Sequence, residues 1–372
     1  MTTDLDFTAT ADKAHKDRMP RFDQSINITV VGKVSAGKSS LINAIMGCKR
    51  SDPIATVGAR SGVTTTVTRY RLDEKVLIID CPGLDDVRKE NSAETERFLK
   101  SIDLGIFVVT DSADASQRSN YQDLKRSAKK SILVLNKVDR WDDHSPTALQ
   151  SIIDQWKETL AADTIFCTCT KGYDPELLAN KPMDVRGIEE LKTEIYDFLE
   201  LEGKAILLAK NMKDKDAYAI RIIATALAAV AAEAFIPGSA AYITVTQIVA
   251  LTSLNYLYTG EVLAKSSAIS LLPVFAGQSI GTSLFLWAKS FLPPTLVLDF
   301  AAAGIAAMIT FAMLAAVKSL LESGHDLSET KLLADTFLKF KSAGTKIKDM
   351  PFSALKNKEE LFKFVQKLLS TK

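Results

Sequence analysis

The sequence predicts a doubly wound, mostly parallel α/β domain followed by an all-α hydrophobic helical domain. Between residues 25 and 200, short apolar runs alternate with amphipathic segments, which is typical of parallel strands joined by helices. A glycine-rich loop follows the first apolar run, at the place where a strand turns into a helix. Between residues 217 and 317 charged residues almost disappear, which indicates a second region of packed apolar helices.

Composition limits the function classes. The chain has 372 residues, which allows two or three domains with sizeable cores. Its 46 basic and 45 acidic residues give a net charge of +1, so nucleic acid is not expected as a partner. The four cysteines lack the spacing of a zinc site and are interpreted as buried, reduced thiols. The N-terminal residues are polar and charged, unlike a signal peptide, so we expect a cytoplasmic location.

Changes in composition divide the chain into five regions. These are an N-terminal lead-in (1–24), the α/β domain (25–200), a charged connector (201–216), the hydrophobic helical domain (217–322) and a Lys-rich amphipathic tail (323–372). Buried parallel strands are predicted at Ile28–Val31, Val76–Ile79, Ile106–Val109, Ile132–Leu135 and Ile165–Thr168, with an edge strand at Thr66–Leu72. Helices are predicted between them at Ser39–Met46, Glu94–Ser101, Tyr121–Arg126, Pro146–Leu160 and Ile188–Leu199.

The glycine-rich loop carries the pattern Gly-x4-Gly-Lys-Ser between a strand and a helix, which is the phosphate-binding Walker A motif. Successive backbone N–H groups of such a loop, together with the helix N-terminus, surround a phosphate. Lys38 is expected to reach the β- and γ-phosphates, and the Ser39 hydroxyl to bind Mg²⁺. The predicted nucleotide contacts in this loop are Lys33, Val34, Ser35, Ala36, Gly37, Lys38, Ser39 and Ser40.

A second motif, Asp-Cys-Pro-Gly, ends the strand at Val76–Ile79. Its carboxylate, Asp80, is expected to hold Mg²⁺ through a water, and the Gly83 N–H to meet the γ-phosphate. Three threonines lie between the Walker helix and this strand, where a switch segment would close on the metal and the γ-phosphate. Thr64 is the preferred ligand and Thr65 the second choice; the alternative is an ordinary Thr-rich strand.

A third motif, Asn-Lys-Val-Asp, follows the strand at Ile132–Leu135. Guanine offers adjacent ring N–H and exocyclic amine donors, and one fixed carboxylate, Asp139, can accept both. Asn136 is expected to tie this loop to the Walker loop, and the Lys137 stem to cover the base. The segment Cys169-Thr170-Lys171, expected as a loop after the last strand, would place the Thr170 N–H near guanine O6.

Together these motifs resemble the translation-factor-related class of P-loop GTPases, over about residues 25–200, and within it the Era-like and dynamin-like branches. The resemblance implies a GTPase that hydrolyses GTP to GDP and phosphate with Mg²⁺. It also implies catalytic contributions from Ser35, Lys38, Thr64, Thr65 and Gly83. Dynamin-like loops have a serine at the position of Ser35, where it helps to place a monovalent cation, K⁺ or Na⁺, beside the phosphates.

One departure from the family concerns the residue after Gly83. Ras-type enzymes place a water-orienting glutamine there, whereas this chain has Leu84. An apolar side chain cannot orient water, so polarisation has to come from the switch threonine backbone, a cation at Ser35 or a group completed by dimerisation. We therefore expect slow intrinsic hydrolysis, accelerated by a homodimer or oligomer that forms through the GTPase domain.

The apolar half loosely resembles the hydrophobic helical domain that follows Era-like GTPase domains in some bacterial proteins. Its uncharged stretches, Ala234–Gly260, Ser266–Ala288 and Phe300–Val317, approach the length of a membrane span. Membrane association, with lipid as a partner, is the preferred interpretation. The alternative is a soluble bundle in which Thr244, Gln247, Asn255 and Thr259 form a solvent-facing or interhelical polar stripe.

The tail combines apolar residues at helical spacing with lysines around Lys356–Lys367, as in helices that lie on anionic lipid. The alternative is a terminal helix that docks on the α/β domain. The sequence therefore predicts a GTPase whose switch domain controls a membrane-associating helical domain, in membrane remodelling or stress response. The competing prediction is a soluble regulatory GTPase whose helices bind a protein or RNA partner, as in ribosome assembly.

Overall fold

A computed structural model describes residues 12–57, 67–88, 98–173, 180–236, 239–277 and 296–370, and in these ranges the side chains of residues 276 and 296–299 are not described. The chain divides into two compact units. One comprises Arg21–Asp214, and the other combines Met1–Pro20 with Lys215–Lys372. Residues 12–20 of the predicted lead-in thus belong to the same unit as the apolar half, and residues 21–24 to the other.

The unit Arg21–Asp214 is built on a seven-stranded sheet in the order β2-β3-β1-β4-β5-β6-β7. The strands are β1 (Ile26–Val31), β2 (Thr68–Arg71), β3 (Val76–Cys81), β4 (Ile102–Val109), β5 (Ala128–Asn136), β6 (Phe166–Thr170) and β7 (Val185–Arg186). The five inner strands are parallel, and β2 and β7 are antiparallel edges. The predicted fold class is therefore confirmed.

All five predicted parallel strands are present, because each is an apolar run whose residues are covered on both faces of the sheet. The prediction that the last of them ends at Thr168 is wrong. β6 continues to Thr170, since its final residues pair with the two-residue strand β7, which was not predicted. The edge strand is shorter than predicted, and Thr66 lies outside the described residues.

Helices cover both faces of the sheet. In chain order they are α1 (Lys38–Ile45), α2 (Leu84–Arg88), α3 (Gln117–Ser127), α4 (Pro146–Leu160), α5 (Ile188–Leu201) and α6 (Ala205–Asn211). Side chains of α2, α3 and α4 share one apolar core with alternate residues of the strands, while Ile42, Ile195 and Leu208 of α1, α5 and α6 line the other face. Of the predicted helix Glu94–Ser101, residues 94–97 lie outside the described residues.

The charged connector contains the buried helix α6. Its first five residues, Ala205–Ala209, are buried, and a lysine near each end pairs with a carboxylate, one in β4 and one in the turn between β2 and β3. Lys204 Nζ lies 2.8 Å from Asp103 Oδ1, and Lys210 Nζ lies 3.0 Å from Asp73 Oδ2. The charges of this stretch therefore pair with carboxylates of the α/β unit.

The second unit is helical. Besides helical residues 12–18, it contains α7 (Asp216–Glu233), α8 (Ser239–Thr259), α9 (Lys265–Gly277), α10 (Leu296–Glu322), α11 (Thr330–Lys348), α12 (Phe352–Lys356) and α13 (Lys358–Ser370). Among the described residues, two helices are long and apolar enough to cross a membrane: α8 and the stretch Phe300–Glu322 of α10. Of their apolar 18-residue segments, however, 67% and 83% are buried.

Polar groups inside this unit pair with one another. Gln247 Nε2 donates to Thr310 Oγ1 over 2.9 Å, which joins α8 to α10 at one residue of the predicted polar stripe. Arg18 of the lead-in donates to Thr246 Oγ1 over 2.8 Å and forms an ion pair with the buried Glu233. These bonds satisfy groups that would otherwise be costly to bury.

The tail helix α13 packs on α7 of the same unit and buries Leu361 and Val365 there. The alternative prediction, docking on the α/β domain, stays a prediction. The lysines of the same helix, Lys363 and Lys367, remain on its exposed side.

Candidate functional site

The loop between β1 and α1 can exist only with glycine at two positions. A Cβ on Gly32 would lie 2.2 Å from Val108 O, and one on Gly37, where φ is +85°, would lie 2.4 Å from Asn136 Nδ2. Ser35 adopts φ +66°, a conformation that non-glycine residues rarely adopt and that recurs at ligand sites. The neighbouring strand β4 and the Asn136 side chain thus fix the path of this loop.

The side chains of Lys38 and Ser39, at the start of α1, converge on Asp80 near the end of β3. Lys38 is 3% exposed; its Nζ donates to Lys33 O over 3.1 Å and lies 3.7 Å from Asp80 Oδ1. Ser39 Oγ donates to Asp80 Oδ2 over 2.7 Å. β1 and β3 are adjacent parallel strands with Val30 opposite Asp80, and this register brings the two motifs together.

Burial dominates the electrostatics of this cluster. It lowers the pKa of Lys38 and raises that of Asp80, although each charge favours the other. Asp80 Oδ1 is buried and, among the residues that the structure describes, accepts no hydrogen bond within normal distance, the Lys38 ammonium being 3.7 Å away. An orphaned carboxylate oxygen beside a serine hydroxyl is the donor set that Mg²⁺ prefers, so these residues fit the predicted metal.

Gly83 and Leu84 lie at the junction of β3 and α2. Leu84 is buried in the apolar core between the sheet and its helices, so its side chain is not directed at a reacting water. The predicted switch residues Thr64 and Thr65 lie outside the described residues.

The Asn136 side chain, at the end of β5, makes polar contacts with the Walker loop and with two residues of β6. Its Nδ2 donates to Ala36 O over 3.1 Å, and its Oδ1 accepts from Thr168 Oγ1 and Thr170 Oγ1 over 3.1 and 3.2 Å. The side chain therefore ties the Walker loop to the end of β5, as predicted, and also to β6. Lys137 follows at φ +62°, with its side chain near Gly37.

Asp139 lies in the short 3₁₀ helix Val138–Trp141 with its side chain 14% exposed. Cys169 Sγ donates to Asp139 Oδ1 over 3.5 Å, and Lys171 Nζ lies 3.4 Å from Oδ2. The prediction that Cys169 and Thr170 belong to a loop after the strand is wrong, because both are the last residues of β6. The contact of the Thr170 N–H with a base stays a prediction.

The thiols in this region are not nucleophiles. Burial raises the pKa of Cys169 to about 11 and that of Cys81 to about 12, so both are protonated at neutral pH. Cys48, Cys81 and Cys169 are buried free thiols, as predicted, and Cys167 is half-buried.

Sequence reasoning missed two supporting residues. Asn43 is fully buried in α1; its Oδ1 accepts from the Ile54 and Ala55 amides over 2.9 and 2.8 Å, and this shapes the segment that leads away from α1. A polar residue at an inward-facing helix position is the signal that could have identified it. Arg186 of β7 bridges Asp142 and Asp184, a contact that no local pattern indicates.

Comparisons with known proteins agree with this geometry. Residues 27–137 match the family described as 50S ribosome-binding GTPase. GTPase Der of Persephonella marina is 29% identical over 197 residues, covering 49% of this chain and 40% of that protein. GTPase Era of Clostridium kluyveri is 30% identical over 122 residues, covering 30% of this chain and 40% of that protein. The matched segment is therefore a P-loop GTPase domain of the Era and Der type.

The similarity is confined to part of each protein. The chain spans 23% to 40% of the length of the curated relatives it matches. A solved structure of Era, in complex with MgGDPNP and nucleotides 1506–1542 of 16S ribosomal RNA, is 21% identical with a TM-score of 0.27. It covers 40% of this chain and 52% of that one. The expectation that nucleic acid is not a partner finds no support in these comparisons.

Proposed function

We propose that this Era-like P-loop GTPase domain binds GTP with Mg²⁺, hydrolyses it to GDP and phosphate, and thereby switches the helical unit. The observation that carries the proposal is the convergence of Lys38 and Ser39 on the buried Asp80, whose Oδ1 has no hydrogen-bond partner in the described part of the chain. Bound Mg²⁺ would be held by Ser39 and, through water, by Asp80, and it would neutralise charge on the phosphates.

The chain's own residues supply binding and charge stabilisation. The Lys38 ammonium reaches the β- and γ-phosphates, and the amides of the Walker loop surround them. The Gly83 N–H meets the γ-phosphate and, with Thr64 or Thr65, is released when that phosphate leaves. Asp139 accepts the two guanine donors while Asn136 keeps the base loop and the phosphate loop in register.

Leu84 leaves the attacking water without a side chain that orients it. Slow hydrolysis in dilute solution follows, with acceleration by self-association through the GTPase domain or by K⁺ or Na⁺ beside Ser35. Phosphate release should then rise faster than linearly with protein concentration. Strictly linear, rapid release in the absence of both cations would contradict this part of the proposal.

The test of nucleotide binding is calorimetric titration of the full chain with GDP, a non-hydrolysable GTP analogue and ADP. GDP and the analogue should bind, ADP should not, and chelation of Mg²⁺ should weaken binding of the analogue more than that of GDP. Equal affinity for ADP and GDP, or no binding of either, would refute the assignment.

A second candidate function concerns the helical unit: association with the cytoplasmic face of a membrane. Its support is the low charge of α8 and α10, two helices of spanning length, and the exposed side chains of Ile236, Val262, Ile269 and Phe300 on the same unit. Flotation of the full chain with anionic vesicles, with GDP and with the GTP analogue, tests it. A chain that stays in the soluble fraction in every state has no such role.

A further inference from the structure

Arg186 makes an unusually complete set of polar contacts for a surface side chain. Its Nη1 and Nη2 donate to Asp142 Oδ1 and Oδ2 over 3.0 and 2.7 Å. Its Nε and Nη2 donate to Asp184 Oδ1 and Oδ2 over 2.9 and 3.2 Å. One guanidinium therefore uses all four carboxylate oxygens of two aspartates that lie 42 residues apart in the chain.

The first aspartate belongs to the turn that carries Asp139. Asp142 caps the 3₁₀ helix Val138–Trp141, and its amide donates to Asp139 O over 3.3 Å. A displacement of Asp142 therefore moves the backbone of Asp139, the carboxylate assigned to guanine.

The second aspartate belongs to the connection that enters β7. Asp184 O accepts from Gly172 N over 3.3 Å and from Cys169 Sγ over 3.4 Å, and Cys169 Sγ also donates to Asp139. Arg186 itself pairs with Cys169 in the β6–β7 ladder. The arginine thus joins the Asp139 turn to the end of β6, the other segment assigned to the base.

The backbone holds the arginine in register. A Cβ on the next residue, Gly187, would lie 1.9 Å from Cys167 O, so β7 approaches β6 as closely as glycine permits. Isolated surface ion pairs contribute little, but bidentate arginine–carboxylate contacts in a network are the stronger class. The 45% exposure of the Arg186 side chain leaves it accessible, yet both of its partners are fixed by backbone hydrogen bonds.

We propose that Arg186 is a positioning residue for guanine recognition: it fastens the Asp142 turn to the Asp184 segment and so fixes Asp139 relative to Cys169-Thr170-Lys171. The inference rests on the proposed guanine-nucleotide function. Without the guanidinium, the carboxylates of Asp142 and Asp184 lose the positive charge that both of them contact, and only the more distant Lys171 still acts on Asp142. The two carboxylates then repel each other, which separates the Asp142 turn from the Asp184 segment.

The experiment compares GDP with inosine diphosphate, which lacks the exocyclic amine that Asp139 would accept. Wild-type full-length protein should prefer GDP about tenfold, the effect of one hydrogen bond to a charged group. Arg186→Ala should weaken GDP binding about tenfold and reduce the preference to about twofold or less. The matched control is Lys130→Ala, which breaks an equally exposed ion pair, Lys130–Glu194 at 2.8 Å, on the same unit; it should leave the preference unchanged.

A second variant distinguishes a positioning role of Arg186 from a general loss of folding in Arg186→Ala. Adding Asp142→Asn to Arg186→Ala removes the repulsion and should restore part of the GDP preference. A wild-type preference retained in Arg186→Ala, or a ratio that the double variant fails to raise, would overturn the inference. Wild-type protein that binds neither diphosphate would instead refute the proposed function.

Discussion

At the phosphate end of the candidate site the charged side chains are buried, whereas at the base end they reach solvent. Lys38 and Asp80 have side chains 2% and 0% exposed, while Asp139 and Lys171 are 14% and 55% exposed. The buried end is formed by two adjacent strands and the residues that directly follow them. The exposed end is assembled from the Asp139 turn, the end of β6 and β7, which polar contacts join.

This difference determines how a substitution at each end should affect nucleotide binding. At the buried end the Lys38 charge acts on the phosphates at close range with little screening by solvent, so its loss removes much binding energy. At the base end several contacts together position Asp139 and the end of β6. Losing one of them therefore affects nucleotide binding indirectly, through a shift of the backbone. Substitutions should therefore abolish nucleotide binding at the first end and change its selectivity at the second.

The largest effect is expected for Lys38→Ala. Losing a buried charge-assisted contact to the phosphates should weaken binding of GDP and of the GTP analogue about a thousandfold, or about 4 kcal/mol. Lys33→Ala is the comparison in the same loop: Lys33 is also a predicted nucleotide contact, but its side chain is 58% exposed and pairs with Asp114, so a much smaller loss is expected. Calorimetric titration measures both, and similar losses in the two variants would contradict the buried-end argument.

Asp139→Asn tests the base end. Asparagine cannot accept both guanine donors as a carboxylate does, so GDP affinity should fall about a hundredfold, at about 1.5–3 kcal/mol for each charged hydrogen bond. Xanthosine diphosphate, whose base carries a carbonyl in place of the amine, should gain affinity because the asparagine amide donates to it. Competition between the two diphosphates measures the change, and a uniform loss for both would show that Asp139 does not read the base.

The two ends also differ in what the sequence revealed. The phosphate end could be predicted because its residues are consecutive: an apolar strand, a glycine loop and a helix, then Asp80 at the end of the next apolar run. Asn136 and its link to the Walker loop followed from the same logic. These features depend on the succession of neighbouring residues in the sequence and on the rule that the ends of parallel strands meet at one edge of a sheet.

The remaining features depend on contacts between distant residues. β7 is two residues long and has no periodic pattern, so the extension of β6 to Thr170 was missed. The role of Arg186 could not be predicted, because only the structure shows that it lies beside Asp142. The burial of helix α6 within the predicted connector was not foreseen, because Asp103, the partner of Lys204, lies 101 residues away in the sequence.

Gly187→Ala addresses the close approach of β7 to β6. The residue has φ +73°, and a Cβ would lie 1.9 Å from Cys167 O, so the free energy of unfolding should fall by about 2–3 kcal/mol. Gly203→Ala is the control, with φ +70° but only the flexible Arg21 side chain nearby, and should cost about 1 kcal/mol. Urea unfolding measures both; equal losses would mean that the β6–β7 contact adds no constraint.

The smallest effect is expected at the rim of the phosphate loop, where Asp114 pairs with Lys33. The hydrogen bond from Lys33 lowers the pKa of Asp114 from 3.8 to about 2. A depressed carboxyl pKa means that the pair stabilises the fold above pH 4 and that its contribution disappears as the pH falls toward 2. Asp114→Asn should therefore lower the midpoint of thermal unfolding slightly at pH 7, since the pair is exposed and screened by salt. The gap between wild type and variant should narrow between pH 5 and pH 3, and a gap that widens on acidification would show that the Lys33–Asp114 pair does not stabilise this loop.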